Sequence, residues 1–239
     1  MSSYFTNFPT TQYDILFDGY KSEVVDIFRI VKVKKQYRDD VSYYTYYDIQ
    51  DGERPDIVSA RLYGTADYYW TFFMINDNLV NVFTDWPLST EDVQHLSTRK
   101  YAGTVLTSNE DFSYKFTVGT TIQGLQSGAT ATILDKDPDL GIIKIQPLTK
   151  TFVPGEVIRD TLSNEFITIT GQALFKDAVH HFEDADGYHV PKNTVGATPI
   201  SNEEHEFIMN DNKSKIKVLR PEYVQVIADQ FIDQIKADN

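Results

Sequence analysis

Apolar and polar positions change rhythm several times along this chain, and each change marks an element. Tyr43 to Ile49 reads Tyr-Tyr-Thr-Tyr-Tyr-Asp-Ile, an aromatic run that favours a strand. Asp51-Gly52 breaks it. Pro55 suits the first helical position and Asp56 the positive first turn, so a helix is expected from Pro55 to Tyr63. It should bury Ile57, Val58, Ala60 and Leu62 and stop at Gly64. A second helix follows from Ala66 to Ile75, with Trp70, Phe73 and Met74 on one face. Asn76-Asp77-Asn78 ends it, and Leu79 to Phe83 reads as a returning strand. The unit is strand, helix, helix, strand.

Upstream, Met1 to Tyr20 carries scattered aromatics without a period, as an arm lying on another surface would. Glu23 to Tyr37 reads as a helix giving way to extended chain, with Arg38-Asp39-Asp40 as a polar connector. Downstream, Ser89 caps a short helix to about Ser97. From Gly103 to Gly171 the texture becomes short alternating runs cut by Gly and Pro. These are 114–118, 120–122, 129–134, 142–146, 156–159 and 165–170. Such spacing suggests a small antiparallel barrel or sandwich, spliced into a surface loop. Phe175 to Phe182 is a plausible strand, and Ser201 with Glu204 makes a capping box for a helix to Asn212. Ile216 to Leu219 is extended. Pro221 opens a last helix to Lys236, with Val224, Ile227, Ala228, Phe231, Ile232 and Ile235 as its apolar stripe. That stripe docks on the body or on a partner.

The fold class expected is therefore α+β. Its parts are an N-terminal segment (1–43), the β-α-α-β unit with its following helix (44–102), an inserted all-β domain (103–173) and a C-terminal strand with helices (174–239). The candidate interface residues are Tyr4, Phe5, Phe8, Tyr13 and Phe17 in the arm, and Val224, Phe231 and Ile235 in the last helix.

Composition narrows the chemistry. Net charge is −13, which opposes a grip on phosphate backbones and so on nucleic acid. There is no cysteine, which excludes disulfides, thiolate metal sites and a cysteine nucleophile. No apolar run reaches the length of a membrane span, and the first residues lack the plan of a signal peptide. Aromatics at 13% serve either a core or a wet interface.

His180-His181-Phe182-Glu183-Asp184-Ala185-Asp186-Gly187-Tyr188-His189 is rich in ligand atoms. On a strand, however, His180 and His181 face opposite ways, and no zinc spacing is present. It reads as a polar strand-to-loop junction, and no metal ligand is assigned. Asp135 to Gly141 resembles a calcium loop, but Gln146 stands where a bidentate Glu is required. No phosphate loop and no serine elbow is present, so neither a catalytic residue nor a cofactor is assigned.

Two resemblances carry the functional expectation. Asp51-Gly52, the helix ending Tyr63-Gly64, Trp70 and Ile75-Asn76 resemble a LysM module. The fuller string resembles the baseplate wedge protein 53 family of T4-like contractile-tailed phages. It comprises Asp51 to Asp56, Tyr63-Gly64, Tyr69-Trp70, Asn76-Asp77-Asn78 and Asp85-Trp86-Pro87, with Asp26-Ile27-Phe28-Arg29 upstream and Lys100-Tyr101 downstream. The family resemblance implies a non-enzymatic structural subunit of the virion's tail baseplate, assembled in the host bacterial cytoplasm. Its partners would be other wedge proteins and the hub, in a sixfold ring of copies linking neighbouring wedges. The LysM resemblance alone implies the alternative, binding of peptidoglycan-type glycan. Its groove would lie at Gly52-Glu53-Arg54-Pro55 and Asn76-Asp77-Asn78-Leu79, where Arg54 and Glu53 crowd it.

Overall fold

A computed structural model describes residues 8–26, 35–81 and 84–237. In chain order the strands are β1 (Thr10–Tyr13), β2 (Ser22–Val25), β3 (Tyr44–Asp48), β4 (Thr104–Thr107), β5 (Thr121–Gly124), β6 (Thr130–Asp137) and β7 (Ile142–Pro147). They continue with β8 (Val157–Asp160), β9 (Phe166–Thr168), β10 (Gly171–Leu174), β11 (Val179–Glu183), β12 (His189–Val190), β13 (Thr198–Ser201) and β14 (Lys215–Leu219). The helices are α1 (Lys35–Asp39), α2 (Pro55–Tyr63), α3 (Thr71–Ile75), α4 (Thr90–Lys100), α5 (Asn202–Asp211) and α6 (Pro221–Ala237). Helix and strand occupy similar shares, 28% and 29%, so the α+β class holds. The chain divides into two units, residues 1–90 with 210–239, and residues 91–209.

The first unit is built on a strand pair far apart in sequence. β3 pairs antiparallel with β14, Tyr44 opposite Leu219 and Asp48 opposite Lys215. The ladder continues at both ends through Arg220 N–H to Tyr43 O and Ile49 N–H to Ser214 O, each 2.9 Å. The described partner of β3 is thus β14, and the part of the expected returning strand that is described, 79–81, does not pair with it. Leu79 to Asn81 forms no strand; the Asp85 carboxylate takes the Val80 and Asn81 N–H groups at 2.8 and 2.7 Å. Residues 82 and 83 lie outside the described residues. Ile216 and Val218, both fully buried, give β14 the core contact that the exposed Val80 lacks.

α2 begins and ends as expected, with Pro55 at its start and Gly64 left-handed (φ 73°) at its end. Its buried face differs. Val58 and Ser59 are buried with Leu62 half-buried, while Ile57 and Ala60 are exposed. Positions 55, 58, 59 and 62 form one helical stripe, and Ser59 can join it because its hydroxyl donates to Thr65 O at 2.8 Å. The expected second helix is split into a 3-10 turn, Ala66–Tyr68, and α3. Thr65 accepts the Asp67 N–H, which starts the turn and leaves α3 only five residues. Its side chains divide between two clusters. Trp70 and Met74 pack with Phe8, Tyr44, Val224 and Phe231; Phe72 packs with Val58, Leu79, Trp86, Ile216 and Val218. The stripe of α6 closes the first cluster, with Ile227, Ala228 and Ile235 also buried.

The N-terminal region departs from the helix-then-extended order expected over 23–37: among the described residues its start is a strand and its end, from Lys35, is helical. β2 pairs with β1 in an antiparallel hairpin, Thr10 opposite Val25, which the β-branched residues Val24-Val25 favour. α1 occupies part of the expected connector, and residues 27–34 lie outside the described residues.

The second unit holds one seven-stranded antiparallel sheet in the order β10-β4-β7-β6-β5-β8-β9. One face buries Leu106, Ile122, Ala131, Ile133, Ile143, Ile145, Ile158 and Ile167 under loop side chains Phe112, Phe116 and Phe152. The expected strand at 114–118 is absent, since Phe116 is left-handed (φ 60°) and fully buried. A residue in that conformation cannot continue a ladder. On the opposite face Val105 and Ile142 pack with Ala178, Phe175 and Val179. A small sheet, β12-β11-β13, and α5 follow. Ser201 accepts the Glu204 N–H at 3.1 Å, the capping expected for α5.

Candidate functional site

Three places in the described residues could carry function: the hairpin of the N-terminal segment, the loops of the β3-α2-α3 region, and the residues around His181.

The hairpin presents an apolar tip. Between β1 and β2, Leu16 is 77% exposed, Phe17 85% and Tyr20 81%, and Ile15 is also exposed. The tip is nonetheless built. The Asp14 carboxylate accepts the Asp18 and Gly19 N–H groups at 3.1 and 2.9 Å, and Phe17 holds a left-handed backbone (φ 55°). Thr10 donates to Glu23 at 2.6 Å across the strands. Large apolar side chains clustered on a folded turn mark a contact surface more strongly than single exposed ones do.

The candidate interface residues therefore separate. Tyr13 and Phe17 are exposed on the hairpin. Phe8, Val224, Phe231 and Ile235 are buried inside the first unit, where Phe231 lies 5.3 Å from Trp70, ring to ring. The stripe of α6 docks on the body. Tyr4 and Phe5 lie outside the described residues. Leu16 and Tyr20 escaped the sequence reading because nothing in an aperiodic segment tells which apolar residues turn outward.

The loops at 52–55 and 76–79 spend their polar groups internally. Glu53 points inward, its carboxylate paired with Arg61 and accepting from the Tyr47 hydroxyl and the Gln50 N–H, each 2.9 Å. Its carbonyl accepts the Trp86 indole N–H at 2.7 Å. Arg54 pairs with Asp56 at 3.0 Å on the surface. Asn76 is buried, donating to Phe72 O and Lys217 O and accepting the Lys217 N–H, all at 2.8 Å. The residue read as a turn former in fact replaces a third strand along β14.

Around His181 the sequence expectation fails for a structural reason. β11 pairs Val179 with Ser201 and then His181 with Ile200, so His180 is an inserted bulge residue. A bulge cancels the alternation that would part neighbouring side chains. His180 and His181 consequently approach with their Nδ1 atoms 2.8 Å apart. His205 of α5 stacks on His180 at 3.9 Å, and His189 of β12 stacks on His181 at 3.8 Å. His181 Nε2 lies 2.8 Å from Glu183 Oε1. Beside them Glu206 accepts from Lys100 and the Tyr101 hydroxyl at 2.7 and 2.8 Å. Burial, then the neighbouring His205 and His181, pushes His180 below the usual imidazole range. Burial also lowers His205, against an opposing pull from Glu206. Both shifts favour the neutral imidazole. His205 sits 24 positions beyond His181, a separation with no motif to reveal it.

Residues 4–118 match the family model described as base plate wedge protein 53. No curated protein matches the chain. The family match includes the hairpin, β3, α2, α3 and α4, and ends before β5, so His180, His181, His189 and His205 lie beyond it. No helix among the described residues is long and apolar enough to cross a membrane.

Proposed function

Because residues 4–118 match the base plate wedge protein 53 family, we propose that this chain is a structural, non-enzymatic subunit of a contractile phage tail baseplate. It joins other wedge proteins and the hub and helps tie neighbouring wedges into a sixfold ring, as a part of the virion assembled in the host cytoplasm. A ring requires two different patches on each copy, head to tail. The folded hairpin tip, Ile15-Leu16-Phe17 with Tyr20, is the observation that carries this reading. It supplies an apolar anchor within the family region.

The β3-α2-α3-β14 arrangement supports a LysM-like unit whose closing strand is delayed, with residues 91–209 inserted before it. A sugar groove would need free backbone and small polar groups at the two loops. Glu53 and Asn76 are committed to internal bonds instead, which favours assembly over glycan binding. The test is complementation of a tail-assembly defect with Leu16→Ser/Phe17→Ser. Exposed substitutions of this kind shift stability by only about 0.5 kcal/mol, so the expected result is a folded protein that fails to enter baseplates. Normal incorporation of the double variant would refute the hairpin as the anchor.

A further inference from the structure

His180, His181, His189 and His205 of the second unit converge although the sequence scatters them, and the arrangement has the chemistry of a ligand set. His180, His181 and His205 each offer a ring nitrogen, and these atoms lie within 4.8 Å of one another. A tetrahedral zinc site with bonds of about 2.0–2.1 Å places its ligand atoms roughly 3.4 Å apart. Modest ring rotations therefore suffice, fanning open the stacked His180–His205 pair and parting the two Nδ1 atoms. His181 is buried while His180 and His205 are half-buried, which leaves one side for an ion to enter and for a fourth ligand such as water.

Glu183 settles how His181 would serve. Its carboxylate, 2.8 Å from Nε2, accepts the proton there and leaves the Nδ1 lone pair directed at His180. A carboxylate behind a ligating imidazole is the usual support of a histidine metal site, fixing tautomer and ring orientation. His180 then carries its own proton on Nε2 when an ion takes Nδ1.

We propose that His180, His181 and His205 form a binding site for a late first-row divalent cation such as Zn2+ or Co2+, with Glu183 as the positioning residue behind His181. Neutral imidazoles select these ions over Mg2+ and Ca2+, which prefer oxygen ligands. The bound ion staples the bulge of β11 to α5, which is otherwise tied here by stacked rings and, to the residues just before β11, by the Asn202 bonds to Phe175 and Ala178 and the Lys176–Glu203 pair.

The experiment uses the full chain, stripped of metal and titrated with Co2+ and Zn2+ in excess Mg2+, so that the many surface carboxylates are already occupied. The expected result is one equivalent of Co2+ with the intense visible absorption of a low-coordinate nitrogen site, displaced by Zn2+. His181→Gln and His205→Gln should abolish the signal, with circular dichroism confirming that each variant is folded. Glu183→Gln should weaken affinity by about 10–100-fold, the effect of losing an outer-shell partner. His189→Gln should leave binding intact. That variant matters because His181, Glu183 and His189 form a second convergent group. Loss of binding in His189→Gln with retention in His205→Gln would overturn the assignment in favour of that group. Absence of a one-equivalent site, or its persistence in a folded His181→Gln, would overturn it altogether.

Discussion

The two units reach stability by opposite routes. The first closes over a great distance in sequence: Tyr63 donates to Leu219 O, 156 residues downstream, at 3.0 Å, and β3 takes β14 as its partner. Its clusters are aromatic, with Trp70, Phe72, Trp86 and Phe231. Half of the pairs in the second unit's large sheet join sequence neighbours, β5 with β6, β6 with β7 and β8 with β9, and its most distant pair, β4 with β10, spans far less chain than β3 with β14. Its core is aliphatic, seven isoleucines under three phenylalanines. Local pairing asks little of loop closure, whereas the first unit must bring distant segments together before any contact rewards it. Large rings contribute much buried area per residue ordered, which suits a unit with few strands to share the load.

The largest expected effect lies where the aromatic route is most concentrated. Trp70 is 6% exposed and packs on Phe231 of α6. Trp70→Ala should cost about 3–5 kcal/mol, read from denaturant unfolding followed by fluorescence. Both tryptophans of the chain, Trp70 and Trp86, belong to the first unit, so the remaining indole reports that unit alone. A loss under about 1 kcal/mol would mean that α6 does not depend on the indole, and the contrast between the units would collapse.

What the sequence made legible follows the same division. Start and stop residues placed α2, and periodicity placed α6 and the strands β5 to β9, near their observed bounds, because each is specified by its own residues. It could not find the partner of β3, since pairing across the whole chain leaves no local trace. Nor could it see that His180 is a bulge residue, which depends on how β13 registers against β11. Asn76 looked like punctuation because a side chain that imitates a strand uses the same amide that a turn uses. The hairpin tip was half legible: its apolar residues stood out, but not which of them face outward.

A middle-sized effect should separate the units in the other direction. In the second unit the turn residues are tied down by buried carboxylates in place of distant strands. Glu156, 2% exposed, accepts from Val153 N–H at 2.6 Å, from Gln126 and Ser127 N–H at 3.1 and 3.0 Å, and from the Ser127 hydroxyl. Gly124 passes so close that a Cβ there would meet the carboxylate at 2.5 Å. Burial by itself would raise this carboxyl, but the N–H groups of Ser127 and Val153 outweigh it and hold it below its ordinary range. A carboxyl lowered on folding contributes stability above its unfolded pKa, and that contribution is lost as pH falls through the folded value. Glu156→Gln should therefore cost roughly 1.5–3 kcal/mol at pH 7 and less in acid. The change should appear in circular dichroism of the sheet while the tryptophan transition stays in place. An equal cost at all pH values would remove the charge from the account, and a shifted tryptophan transition would show that the two units unfold as one.

The smallest expected effect is the most direct test of separateness. The first unit's chain leaves after Thr90 and returns at Asn210, and these ends are held side by side. Leu88 N–H donates to Asn210 Oδ1 at 2.8 Å, and the Asn210 amide donates back to Leu88 O at 3.0 Å. Asn210 thus imitates one rung of a ladder, as Asn76 does on β14. With the ends already adjacent, replacing residues 91–209 by a short Gly/Ser linker strains nothing within the first unit. The shorter loop is also easier to close, by about 0.6 kcal/mol for each halving of its length. The excised chain should keep a cooperative tryptophan transition within about 1 kcal/mol of its value in the full protein. Substituting Asn210 with Ala in that shortened chain should then cost more than the excision did, because the two bonds to Leu88 are what spare the linker from holding the ends. A shortened chain without a cooperative transition would mean that β3 and β14 cannot pair unless residues 91–209 are present, and the second unit would no longer count as an insertion.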